Sequence, residues 1–308
     1  MRGTEVNVRR GHRQMAPTHH LEGESRYTGY LYIAPAVIVF GIFVLGPFIH
    51  SLYLSFFNWD GIGPSKFVGL ANFREVWKNP ILQSSFSHAL ILIFFYSVLP
   101  LLISLALVSV MNRGRIRGLT FYRTVLFLPY IVAPTAVAVI WRWILAPEGP
   151  LNTFLKFIGL GSISRGWIGD FTTALPSVGA VGTWVMFGLV LVMFIAGVQK
   201  IPTELYEATR IDGAGAFWEF WVVTLPGLKN EIVVTLVLTV TAALRNFDVI
   251  YVMTSGGPGT STVVPSYLVY QQAFVAGEVG TAAAIGSYLI LIIVLLNLVI
   301  VKLGARGK

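Results

Sequence analysis

Six apolar stretches, each close to the length of a bilayer crossing, constrain this 308-residue chain more than any other feature: Leu31–Leu54, Leu90–Met111, Val125–Leu145, Ser177–Val198, Ile232–Val252 and Ala282–Val301. A helix rises about 1.5 Å per residue, so about 20 apolar residues span the hydrocarbon. Four of the six contain no Asp, Glu, Lys or Arg; the others hold Arg142 and the pair Arg245 and Asp248. Backbone polar groups in hydrocarbon need internal partners, which favours helices, and the alternating pattern of a membrane barrel is absent. The first run exceeds the roughly 7–15 apolar residues of a cleaved leader and follows a polar arm, so it is expected to remain as a span. The expected fold class is all-α, a polytopic membrane protein with about six transmembrane helices. Pro35, Pro47, Pro100, Pro129 and Pro134 lie within the runs and predict bends.

Charge completes the topology. Only 12% of residues are charged, about half the roughly 25% of soluble domains, which excludes an ordinary soluble enzyme and a disordered chain. The net charge of +8 falls between apolar runs, so it reads as membrane topology and not as nucleic-acid binding. Lys and Arg concentrate in alternate connections: Arg2, Arg9, Arg10, Arg13 and Arg26 in the arm; Arg113, Arg115, Arg117 and Arg123; Lys200, Arg210 and Lys229; and Lys302, Arg306 and Lys308. The opposite loops hold Lys66, Arg74, Lys78, Lys156 and Arg165. This asymmetry predicts that both termini are cytoplasmic, in a multi-pass protein of a prokaryotic plasma (inner) membrane. The absence of Cys excludes disulfides, thiolate metal sites and a Cys nucleophile. His50 and His88 lack a partner at metal spacing, so no metal is expected, and no catalytic constellation is visible.

One connection is more than a turn. Residues 199–231 contain Pro202 and Glu204, which start a helix, and an apolar stripe at Ile201, Leu205 and Ala208. Gly213 is placed to end that helix, and Phe217, Phe220 and Trp221 begin a second stripe that stops at Pro226. Taken alone, such a loop fits either a surface helix or a docking element for a partner.

The residues in this loop carry a resemblance. Glu207-Ala208-Thr209-Arg210-Ile211-Asp212-Gly213-Ala214, followed by Leu225-Pro226, resembles the EAA loop of type I ABC importer permeases. Ile201-Pro202-Thr203-Glu204-Leu205-Tyr206, Phe121-Tyr122-Arg123-Thr124 with Leu128-Pro129, and Gly256-Gly257-Pro258-Gly259 are similar to the carbohydrate-uptake branch. Thr209 stands where the family usually has Ala, and Asn230 where Pro is common.

The resemblance implies the type I ABC importer permease fold. Its expected organisation is a cytoplasmic arm (1–30), a first transmembrane helix (31–56), an extracytoplasmic loop (57–84), an ABC transmembrane type-1 domain (85–303) with the coupling loop at 199–231, and a cytoplasmic tail (304–308). It implies that Leu205, Glu207, Ala208, Asp212, Gly213, Ala214, Leu225 and Pro226 couple the chain to an ATPase, with Glu207 capping or pairing at the docking surface. The implied partners are a second permease subunit, in a heterodimer, two cytoplasmic ATPase subunits, an extracytoplasmic solute-binding protein and membrane lipid, with no nucleic acid. No cofactor is expected on this chain; ATP and Mg belong to the ATPase subunits, because Gly307-Lys308 is the only Gly-Lys and no phosphate-binding loop follows from it.

Polar groups within the runs are candidates for the solute path, because a charge at mid-bilayer costs roughly 2.5–3.5 kcal/mol and favours a protein- or water-facing position. Arg245, Asn246 and Asp248 either line a route or form a structural salt bridge, Arg245 and Asp248 being three apart on one helix face. Ala242, Arg245 and Asn246 align with the family's fifth-span sugar contacts. Trp184 and Met186 are further candidates, against a reading as helix packing; Arg142 reads as an interfacial anchor and Asn297 as an interhelical hydrogen bond. The function expected is import of a sugar or related polyol by alternating access. The rivals are an ion-coupled or passive carrier, a permease for glycerol phosphate or another non-sugar solute, and a membrane-embedded transferase.

Overall fold

Where the backbone hydrogen bonds run on and where they break decides how these apolar runs are built. The computed structural model describes residues 28–111 and 118–305. The N-terminal arm up to residue 27, Arg113, Arg115, Arg117, Arg306 and Lys308 therefore lie outside the described residues, together with most of the charges that predict orientation.

The chain divides into two units, residues 1–50 and 51–308. In the first, helix α1 (Thr28–Phe40) continues through a π-helical turn, Gly41–Leu45, into α2 (Gly46–Leu54), whose last residues belong to the second unit. This stretch is apolar all round, as a lipid-facing helix is.

The second unit opens with a short antiparallel hairpin, β1 (Phe57–Asn58) and β2 (Lys66–Phe67), in which Phe57 lies opposite Phe67. Then come α3 (Ala71–Lys78) and α4 (Pro80–Ile93), a π-helical turn at Phe94–Val98, and α5 (Leu99–Met111). Helices α6 (Leu119–Ile131) and α7 (Pro134–Ile144) form the third segment, and α8 (Pro150–Phe157) follows in a loop. Helix α9 (Ala174–Val198) is the fourth segment. Beyond it are α10 (Thr203–Ile211), α11 (Ala216–Glu219), a π-helical turn at Phe220–Thr224, α12 (Leu225–Gly227) and α13 (Lys229–Leu244). The chain closes with α14 (Asp248–Met253), α15 (Pro265–Tyr270) and α16 (Val279–Ala305). Among the described residues, four helices are long and apolar enough to cross a membrane, or six segments if each bent pair counts as one.

Helix α9 is the central post. Val178, Val181, Val190, Leu191 and Phe194 are buried on it, and its glycines let neighbours approach closely. A Cβ at Gly188 would lie 1.9 Å from the Leu126 carbonyl oxygen of α6, and one at Gly182 would lie 1.8 Å from the Tyr96 ring. Small residues at such crossings are how membrane helices pack.

Three segments depart most from what their apolar runs predict, each for a local reason. The second begins at Pro80, so the expected 84/85 boundary falls inside α4. Asn79 caps this helix by accepting from the Ile81 N–H, and Ser84 and Ser85 donate to the carbonyls of Ile81 and Leu82. Those hydroxyls satisfy themselves, so a polar-looking stretch is helical. The third segment is no single rod: α6 and α7 meet at 94° across Val132 and Ala133, where the chain is extended ahead of Pro134. The fifth ends at Leu244 and restarts at Asp248.

Candidate functional site

Helix α10 and the bend after it form an elbow. Pro202 precedes the first turn and Glu204 sits near the positive end of the helix dipole. At the other end Gly213 takes φ +79°; the Gly213 N–H reaches the Arg210 carbonyl, and the Ala214 N–H reaches that of Thr209 at 3.0 Å. That is a Schellman ending, which favours glycine at this position. Helices α11 and α12 then lead back through a 67° bend into α13.

Two side-chain pairs hold the elbow together, and a third joins the segments on either side of it. Tyr206 is buried, and its hydroxyl lies 3.3 Å from the Thr224 hydroxyl. Arg210 donates to both carboxylate oxygens of buried Glu219, from Nε at 2.9 Å and from Nη2 at 3.4 Å. That carboxylate holds the Arg210 guanidinium above its ordinary pKa. Lys200 pairs with Glu231 at 2.9 Å, joining the end of α9 to the start of α13. Thr209 bonds back to the Leu205 carbonyl at 2.7 Å, so its hydroxyl needs no other partner.

Leu205, Ala208, Asp212 and Pro226 line one groove of about 890 Å³, with Val222 and Asn230 on its far side. Glu207, Gly213, Ala214 and Leu225 lie outside it. Around the elbow Ile211, Phe217, Trp218 and Trp221 are exposed, Ile211 at 86%. Glu207 is exposed, and the acid that pairs with the guanidinium is Glu219, which the sequence reading did not name. The signal was present: Arg210 and Glu219 lie on the two facing helices of one elbow.

A second, polar cavity of about 370 Å³ lies where the third and fifth segments break, beside the π-helical turn of the second and the middle of α9. Ala242, Arg245, Asn246, Asp248 and Met186 all line it, joined by Tyr96, Tyr130 and Thr241. Arg245 and Asp248 do not form the expected salt bridge; the ion pairs among the described residues are Lys200–Glu231 and Arg210–Glu219. The reason is the break in the helix, which removes the i, i+3 geometry that would bring them together. Trp184 does not line the cavity. It stands two residues from Met186, about 200° round the helix, and packs edge-to-face on Trp141 at 5.4 Å.

Two of the cavity's buried polar groups are not used up by the fold. Neither the Tyr96 hydroxyl nor the Asn246 amide nitrogen makes a hydrogen bond of good geometry, although the two lie close enough to interact. Both residues are buried, which makes an unfilled donor costly. Tyr96 was absent from the sequence candidates; it rides on the π-helical turn of the second segment, a feature common at functional sites. Elsewhere, Asn297 donates to Thr241 at 3.0 Å as an interhelical bond, and Arg142 donates to the Val252 carbonyl at 3.2 Å.

The chain matches a family model described as binding-protein-dependent transport system inner membrane component over residues 27–306. It is 35% identical over 288 residues to a probable ABC transporter permease protein of Bacillus subtilis, covering 92% of this chain and 98% of that protein. It is 32% identical over 267 residues to the diacetylchitobiose uptake system permease protein of Streptomyces coelicolor, covering 83% of this chain and 76% of that one. Its fold superimposes on a chain of a bacterial ABC transporter involved in import of the acidic polysaccharide alginate, with a TM-score of 0.77 at 22% identity and coverage of 92% of this chain and 96% of that one.

Proposed function

The chain belongs to the family of binding-protein-dependent transport system inner membrane components, a multi-pass permease of an ABC transporter, and on that premise we propose that it carries a sugar or related polyol inward by alternating access driven by separate ATPase subunits. The observation that carries this reading is the braced elbow. It exposes an apolar rim at Leu205, Ile211, Phe217 and Trp218 while Tyr206–Thr224 and Arg210–Glu219 hold it together, and Lys200–Glu231 joins α9 to α13, the two segments that flank it and line the polar cavity. A rim of that kind suits a protein partner, and bracing converts the partner's movement into movement of the helices.

In this reading both termini and the elbow are cytoplasmic, as the Lys and Arg asymmetry favours, and two ATPase subunits hold ATP and Mg. A solute-binding protein delivers from outside. Arg245 and Asp248 are exposed at the cavity in this chain alone. Acyl chains would make that costly, so a second permease, in a heterodimer, covers them across the path. The sugar assignment is supported by the named diacetylchitobiose and alginate systems and by a cavity that offers donors, acceptors and tyrosine rings.

The test is the pair Leu205→Asp and Ala208→Asp in the assembled importer, which charges the groove and keeps the residues of the Tyr206–Thr224 and Arg210–Glu219 pairs. Loss of both ATPase co-purification and nucleotide-driven uptake is expected. Survival of both overturns the docking reading, and uptake that persists without nucleotide favours a passive or ion-coupled carrier.

A further inference from the structure

Away from the elbow and the polar cavity, one side of the second unit carries a cleft that the transport reading does not use. It occupies about 350 Å³ between α4, α13 and α16, and its walls are almost wholly apolar: Phe86, Leu90, Leu244, Ile292 and Leu296. Trp77 and Tyr288 close one end of it. The same two residues also line a neighbouring cavity of about 350 Å³, whose other walls include Arg74 and Lys78. The two cavities thus share a Trp–Tyr wall, with the basic side chains Arg74 and Lys78 at the margin of the second.

The cationic end is rigidly placed. Arg74 and Lys78 are four apart on α3, hence on one face, and neither makes an ion pair among the described residues. Helix α3 is anchored by buried Asn72, which donates to the Ser55 and Phe57 carbonyls at 2.8 and 2.9 Å. The Tyr288 hydroxyl donates to the Phe73 carbonyl at 3.3 Å, and Gln83 donates to that of Trp77 at 2.8 Å. Trp77 itself is exposed. Tryptophan and tyrosine favour the level of the lipid headgroups, so the slot lies at acyl depth and the basic pair beside the headgroups.

We infer that this bipartite cleft binds an anionic phospholipid, with one acyl chain in the slot beside Leu90 and Ile292 and the phosphate held by Arg74 and Lys78. The occupant follows from charge and shape together. An apolar helix could fill the slot with its own backbone groups paired, but would bring no anion to Arg74 and Lys78, whereas an anionic lipid supplies both parts. Inorganic phosphate has nothing to place in it. A zwitterionic lipid fills the slot but gains little from the two cations.

The assembled importer is purified and examined by native mass spectrometry with added phosphatidylglycerol, phosphatidylcholine or inorganic phosphate. The wild type is expected to retain phosphatidylglycerol about 30-fold more tightly than phosphatidylcholine, which corresponds to about 1 kcal/mol for each basic group near an anionic surface. Arg74→Gln with Lys78→Gln is expected to remove that preference and leave phosphatidylcholine binding, Tm and uptake unchanged. Leu90→Trp, which fills the slot and keeps both cations, is expected to expel both lipids. Equal retention of the two lipids by the wild type overturns the inference, and so does an unchanged preference in the double variant. Displacement of phosphatidylglycerol by inorganic phosphate reassigns the pocket to a free anion and also overturns it. A photo-cross-link to a neighbouring subunit from a photoreactive reagent attached at Leu90→Cys shows that protein fills the cleft, with the same consequence.

Discussion

Replacing Gly188 by Ala adds one methyl group at a helix crossing where the obstacle is backbone. Its Cβ would sit 1.9 Å from the Leu126 carbonyl oxygen and 3.0 Å from the Phe127 Cα, where ordinary contact begins at 3.4 Å. The obstacle is backbone within a helix, so no side chain can swing aside, and α6 and α9 must part by about 1.5 Å. Overpacking of this kind costs about 1–3 kcal/mol, and a backbone obstacle places it at the upper end. At about 2–4 °C per kcal/mol, the purified chain should melt roughly 6–12 °C lower. Tyr130 lies one turn beyond Leu126 and lines the polar cavity, so uptake should fall as well. Gly286→Ala supplies the control: it is the same chemical change within α16, where a Cβ meets nothing within 4 Å. There the alanine should stabilise the helix by about 0.5–1 kcal/mol. Thermal-shift measurement of both variants in the same detergent decides the matter. Melting temperatures within about 2 °C of each other would refute the crossing geometry.

Three further outcomes follow from the sites. Tyr96→Phe deletes a buried hydroxyl that the fold leaves without a well-made bond, so Tm should hold or rise; the KM for uptake should increase about 5- to 10-fold if that hydroxyl serves the solute. Arg210→Ala unfastens α10 from Glu219 of α11 within the elbow and should reduce ATP-driven uptake at least about 5-fold, with partial rescue in Arg210→Lys, read in proteoliposomes. Asp170 has its carboxylate pKa held below the ordinary 3.8 by the Thr172 hydroxyl and N–H and the Thr173 N–H. Its folded value is depressed, so its contribution is complete above 3.8 and disappears as pH falls through the lowered value. Acid melting curves of Asp170→Asn should therefore differ least from wild type at the lowest pH, and a difference that grows on acidification contradicts the assignment.

Much of the architecture is legible in the residues because hydrocarbon permits so little. The charge-free runs around Leu101, Leu191 and Leu295 have helical crossing as their natural outcome, and the Pro202, Glu204 and Gly213 punctuation gives the bounds of α10 closely. What escaped detection is local satisfaction of polar groups. Serines in α4 bond to their own helix, so hydropathy alone places the start of that segment ten residues late. The break at Arg245-Asn246-Phe247 contains neither Gly nor Pro, and a three-residue spacing therefore suggested an ion pair on a helix that is interrupted there. Tyr96 was hidden because a tyrosine in an apolar run looks like packing; only the π-helical turn and the space beside Gly182 give its hydroxyl a cavity to enter.

That interruption of the fifth segment has a mechanical consequence. Helix α13 is joined to the elbow, whereas α14 is moored to the third segment by the Arg142–Val252 bond. The two halves thus have separate moorings and meet at the cavity lined by Arg245, Asn246 and Asp248. With no continuous helix between them, a displacement of α13 is not transmitted rigidly to α14, and in the proposed cycle that is the property that lets the two sides of the cavity move at different times.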